Sequence, residues 1–190
     1  MMLYNSIESS EFISQGDILF NFPILIAGID DIDNLPDFSA ESIKSQAYFD
    51  ILRSDIIILS QACDLANEPE RSRKPIESVI CASIFPINKY SKSLVTEANS
   101  NRKPGYYLLH KDNSLLTKSY IIDFTRLYTI PYDLLNSFAN KQSIRIRPAN
   151  PLLEQISHHF GNFFSRIGSD FERPKHDLVK EFEELTELEK

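Results

Sequence analysis

Four aliphatic residues in a row, Ile56-Ile57-Ile58-Leu59, stop abruptly at Ser60-Gln61-Ala62-Cys63-Asp64. An apolar run so short and so rich in β-branched side chains reads as a buried strand. The polar cluster behind it therefore falls at a strand end, where folds usually present chemistry. Cys63 is either a small buried hydrophobe or a functional thiol, and Ser60 and Asp64 either cap a turn or line a site. In the functional reading Ser60, Gln61, Cys63 and Asp64 line a pocket.

The first two-thirds of the chain repeats this pattern of short strands between turn signals. Gly16 opens a strand expected over 17–22, which Pro23 closes. An acidic stretch at about 28–48, centred on Pro36, has no clean period and reads as an inserted loop with a short helix near 39–46. Strands follow at 55–60, 77–85, 105–109, 119–124 and 127–130, separated by turn-rich segments such as Asn99-Ser100-Asn101-Arg102-Lys103-Pro104-Gly105. Strands of this length and punctuation favour a small barrel of about five to six strands. No Gly-rich phosphate loop and no βαβ rhythm interrupts them.

Helical spacing takes over after Pro131. A short helix fits 132–138, and Asn150-Pro151 pairs an N-cap with a first-turn proline ahead of a helix at about 150–167. Leu152, Leu153, Ile156, Phe160, Phe163, Phe164 and Ile167 recur along that helix at the spacing of one buried face, and Gly168 stops it. The expected organisation is one mainly β, α+β domain over 1–168, followed by an acidic C-terminal helix within 169–190.

At 190 residues and 42% hydrophobic content the chain can bury a real core. It contains no apolar stretch of membrane-spanning length, and Met1 to Glu8 lacks the basic start and apolar middle of a secretion signal. The expected setting is the cytoplasm, with no membrane partner and with Cys63 and Cys81 as thiols. The net charge of −7 argues against a broad nucleic-acid surface and leaves room only for a local basic groove. Of the two basic knots, Arg71-Ser72-Arg73-Lys74 reads as a solvated loop and Arg145-Ile146-Arg147 as strand-edge charge.

Several of these segments, taken in order, resemble the PemK/MazF family of bacterial toxins. They are Gly16-Asp17-Ile18 before a strand, Ile56-Ile57-Ile58-Leu59-Ser60, the run from Val79 to Ile87, Ile121-Ile122-Asp123-Phe124-Thr125-Arg126, and a closing helix. The resemblance spans about 14–167. It implies an SH3-like barrel and a role in a bacterial toxin-antitoxin or phage-defence system. The Ser-Gln-x-Cys-Asp cluster also resembles one in uncharacterised bacterial proteins with the same strand-to-helix order.

The resemblance implies endoribonuclease chemistry, which needs a base for the ribose hydroxyl and a cation for the charged phosphorane. Asp123 is the expected base, and Arg126 or Arg53 the cation. Ile121 stands where the family places an arginine, and the family's Gly-x-Glu-Gln loop has no counterpart here. Two readings follow. One is a degenerate family member that binds a protein partner, antitoxin-like or a defence component, with a homodimer as one arrangement. The other is an active, metal-independent nuclease acting on single-stranded RNA. Neither calls for a cofactor or a metal.

In both readings Ser60, Cys63, Asp64 and Asp123 are expected to converge on one face. Two further chemistries are weaker. Cys63 with His110 as base lacks any supporting motif. Cys63, Cys81, His110 and His158-His159 lack the paired spacing of zinc ligands.

Overall fold

The computed structural model of the chain describes residues 3–30, 39–66, 76–112 and 114–165. Its strands are β1 (Tyr4–Glu8), β2 (Ile18–Ile29), β3 (Ala47–Ile58), β4 (Ser78–Pro86), β5 (Tyr106–Leu109), β6 (Tyr120–Pro131) and β7 (Ile144–Pro148). Its helices are α1 (Ala40–Gln46), α2 (Ala62–Leu65), α3 (Lys92–Asn99), α4 (Tyr132–Ala139) and α5 (Leu152–Phe164). The strands form one antiparallel sheet in the order β1-β7-β2-β3-β4-β6-β5, curled into a half-barrel. The mainly β, α+β class expected from the sequence is the observed one.

Side-chain alternation gives this sheet two apolar faces. One cluster gathers Tyr4, Ile18, Ile57, Ala82, Ile122, Leu109 and Ile146, one from each of the seven strands, as the inside of a curl must. The plug is α5, whose Ile156 is buried there and whose Phe160 and Phe163 pack around Phe124, with ring centroids 5.4 and 6.2 Å away. The outer face carries Leu19, Phe22, Ile56, Ile58 and Cys81 under Leu65 of α2 and Leu135 of α4, and Leu108 and Ile121 under Ala98 of α3.

Several boundaries differ from the sequence reading. The strand at 17–22 runs on to Ile29 through Pro23, because beyond Ile18 the only recorded partner of β2 is β3, so a missing N–H costs no ladder bond on the free edge. The strand at 55–60 is the end of a longer one that begins at Ala47 and stops at Ile58, and within the stretch 28–48 the short helix expected near 39–46 is α1, capped by Ser39, while residues 31–38 lie outside the described residues. The segments 119–124 and 127–130 are one strand, β6, interrupted by a bulge opposite Ala82 and Ser83. Helix α5 starts at Leu152 with Pro151, not Asn150, at its N-cap. Strand β1 and helices α2 and α3 stand outside the sequence expectations, which touched β7 only as strand-edge charge at 145–147. Residues 71–74 and 169–190 lie outside the described residues.

Past Phe22 and Ser54 the β2–β3 pair leaves the sheet. The recorded pairing of β7 with β2 is at Ile18, and that of β4 with β3 begins at Asp55. Among the described residues, Pro23 to Ile29 and Ala47 to Arg53 therefore form a two-stranded ribbon with no further strand on either edge. Asn21, at φ 56°, makes the bulge at its base, and Asp55 accepts the Asn21 N–H at 2.8 Å.

Arg145 is fully buried, not a strand-edge charge. Its Nε lies 3.3 Å from Oδ2 of Asp17, itself fully buried, and its terminal nitrogens donate to the carbonyls of Glu11 and Ala139. Arg147 Nε donates to the other Asp17 oxygen at 2.6 Å. Neutralising one member of such a group leaves a buried charge behind, whereas replacing both with apolar residues is close to neutral. Asp17→Asn should therefore lower unfolding free energy by about 3–5 kcal/mol in urea melts, and adding Arg145→Met should recover a large part of the loss. Phe124→Ala should independently cost about 3–5 kcal/mol in the same assay.

Candidate functional site

Ser60 ends β3 by taking over the backbone of Ile80. Its hydroxyl accepts the Ile80 N–H at 2.9 Å while its own N–H donates to the Ile80 carbonyl. The chain then turns into the single-turn helix α2, whose Leu65 is buried in the outer cluster. Ser60, Gln61 and Asp64 line a groove of about 490 Å³ whose far wall is Ser157, Phe160 and Gly161 of α5. Gln15, from the loop ahead of Gly16, completes it and donates to the Leu59 carbonyl.

Gly16 makes this junction feasible. Its φ of +87° lies where only glycine is unstrained, and a Cβ there would stand 2.6 Å from Leu153 of α5. The groove thus presents one carboxylate and several neutral polar groups, and its lining contains no Lys, Arg or His.

Cys63 sits on the exposed rim. Its Sγ lies 3.6 Å from Gln61 Oε1 and from Asp64 Oδ1, both acceptors. His110, the imidazole considered for it, lines a different cavity beside Leu3 and Asn150, so the Cys-His arrangement is not assembled. Cys81 is buried in the outer cluster, where burial pushes its thiol pKa up and keeps it protonated.

Asp123 does not join Ser60. It is paired with Ser83, which is paired with Ile56 and hydrogen-bonded to Ser54, so its side chain belongs to the outer face. The Ser60 groove borders both clusters, through Ile76 on the outer one and Phe160 on the inner one. Neither Asp123 nor its partners Thr125, Tyr90 and Arg126 lines the Ser60 groove, so the expected convergence of Ser60, Cys63, Asp64 and Asp123 does not form.

The carboxylate of Asp123 is 2% exposed and fully engaged. Oδ1 accepts from the N–H and the hydroxyl of Thr125, at 3.0 and 2.6 Å. Oδ2 accepts the Tyr90 hydroxyl at 3.2 Å and lies 3.4 Å from Arg126 Nε. Burial, then the neighbouring carboxylate, pushes the Tyr90 pKa up, so the phenol stays a donor.

The Arg126 guanidinium stacks 5.1 Å from the Phe85 ring centre. Arg53 is elsewhere: its neighbour Ser54 faces the Asp123 side, so Arg53 faces the other, where it donates to the Asn21 carbonyl at the ribbon base. The three proposed catalytic residues thus separate into an Asp123–Arg126 pair that closes the β6 bulge and an arginine that closes the β2 bulge.

The sequence reading passed over two surfaces. The ribbon exposes Leu25 by 65%, Phe49 by 70% and Ile51 by 61%, and the register puts all three on one face. Tyr48-Phe49-Asp50-Ile51-Leu52 carries the aromatic and branched composition of a strand, which was the available signal. The second is a cavity where β5, α3 and α5 meet, built from segments too far apart for any local motif to announce it.

No protein-family model, curated protein or solved structure matches the chain. Asp123→Asn should lower stability by about 1–3 kcal/mol in urea melts, since it weakens a buried acceptor that serves three donors.

Proposed function

We propose that this protein is a non-catalytic binding component of a bacterial toxin-antitoxin or phage-defence system, a PemK/MazF-like barrel of SH3 type that keeps the scaffold without the nuclease centre. The curled antiparallel sheet with a packed terminal helix supports the scaffold part of this reading. The β2–β3 ribbon carries the functional part. A two-stranded ribbon is marginal in water by itself, and open edges beside an apolar face are a template for another segment. Leu25, Phe49 and Ile51 form such a face, with no further described strand alongside β3 from Ala47 to Arg53. The partner chemistry that fits is an extended apolar segment of an antitoxin-like protein or defence component, added as a strand to β3.

The engagement of Asp123 favours this reading over the nuclease, because a general base must be within reach of the proton it abstracts. The adjacency of Asp123 and Arg126 is what speaks for the alternative, an active endoribonuclease.

The test is co-expression with the product of the adjacent open reading frame. Phe49→Ser with Ile51→Ser should abolish the complex on gel filtration while leaving the melting temperature within a few degrees, since both side chains are exposed. Self-association lost in the same variant would identify the occupant as a second copy of the chain. Metal-independent cleavage of single-stranded RNA, lost in Asp123→Asn, would establish the nuclease instead.

A further inference from the structure

The two edges of the curled sheet approach each other where the Tyr4 hydroxyl, on β1, donates to the His110 carbonyl just past β5, at 2.7 Å. Burial is the main cause of an upward shift in the Tyr4 pKa, so the phenol remains a donor. At this seam the end of α3, the loop after β7 and the start of α5 enclose a cavity of about 300 Å³. That volume is at the small end of the range occupied by small-molecule sites.

The floor is apolar, made by Leu3, Ala98, Leu108 and Leu152. The polar part of the lining is four primary amides, from Asn99, Asn101, Asn150 and Gln155, together with Tyr107 and His110. Asp, Glu, Lys and Arg are all missing from the lining.

The amides are uncommitted. The side chains of Asn99, Asn101 and Asn150 make no hydrogen bond among the described residues, and Gln155 uses only Oε1, which accepts the Tyr107 hydroxyl at 3.1 Å. Asn101 is held in the left-handed region, at φ 54°, by the turn that ends α3, so its amide is presented from a fixed backbone.

An apolar floor with uncharged donors and acceptors beside it suits a flat heterocycle that carries both kinds of group on its edge. Asn and Gln amides match the donor-acceptor edge of adenine in this way. A phosphate would meet no Lys or Arg in this lining. We propose that the seam cavity binds a free purine base or nucleoside in uncharged form. The site is separate from the ribbon and shares no lining residue with the Ser60 groove.

Titrating the full chain with adenosine while following side-chain amide signals by NMR tests this. Saturable shifts at Asn99, Asn101 and Gln155 are expected, with adenosine 5′-monophosphate binding no more tightly than adenosine. Asn99→Ala, at an exposed position in the last turn of α3, should weaken adenosine binding roughly three- to tenfold with an unchanged melting temperature. Gln155→Ala should weaken it by a similar factor. The proposal is overturned if millimolar adenine and adenosine leave these signals unmoved, or if both variants bind as the parent does. A tighter response to the monophosphate or to an adenine-containing single-stranded RNA than to adenosine also overturns it.

Discussion

The ion pair between Asp17 and Arg145 carries more of this architecture than its size suggests. Strand β7 pairs with β2 at one recorded position, Ile18 with Ile146, so ladder hydrogen bonds alone tie the β1–β7 hairpin only weakly to the rest of the sheet. Asp17 supplies the missing attachment from the residue just before that pair, gripping Arg145 and Arg147 on β7. Arg145 extends the grip to the carbonyls of Glu11 and Ala139, which fixes the loop before β2 and the end of α4 against the same point. Both charges are fully buried, a costly arrangement unless each is paired, and here the pairing sets how two parts of one sheet meet.

Once β1 and β7 are held there, the curl follows. Tyr4 can reach across to the His110 carbonyl, and the start of α5 closes on the turn at Gly16. Leu153 occupies the space that any larger residue at position 16 would need. The seam cavity and the Ser60 groove are the gaps left on two sides of α5 by this closure, which is why both share walls with that helix. The ribbon is the opposite case: it is the part of β2 and β3 that extends past the other described strands, and Leu25, Phe49 and Ile51 on one of its faces stand exposed.

Legibility in the sequence tracked how each segment uses its side chains. The strand at Ser78–Pro86 announces itself as a short, nearly continuous apolar run buried from Cys81 to Ile84, and the helix at Tyr132–Ala139 by apolar residues at helical spacing. Strand β7 does not, because the residues that make it essential are Arg145 and Arg147, and a basic residue in a strand ordinarily signals an exposed edge. Strand β1, Tyr4-Asn5-Ser6-Ile7-Glu8, buries only Tyr4 and Ile7 and so breaks strict alternation. Ser60, Gln61 and Asp64 were legible as a group because a strand end delivers them together. Asp123 was misplaced for a reason no single segment reveals: where a residue falls along its neighbours depends on cross-strand register, which sets Asp123 beside Ser83 and Ser83 beside Ile56, not beside Ser60.

The placement of the charged groups bears on the proposed binding role. Asp17, Asp55 and Asp123 are each spent on backbone or side-chain groups at a bulge or a junction, and Arg53, Arg126 and Arg145 serve those same irregular points. These are the places where a curled sheet with two bulges needs extra polar bonds to replace missing ladder bonds. Charged groups committed in this way are poorly placed to move protons or stabilise a developing charge on a substrate. Among the described residues the fold also leaves neutral amides around the seam cavity, bare apolar area along the ribbon and a hollow lined by Lys89, Lys111 and Lys118. The amides and the ribbon suit recognition by shape, hydrogen bonding and apolar burial, which is in line with the binding role proposed above.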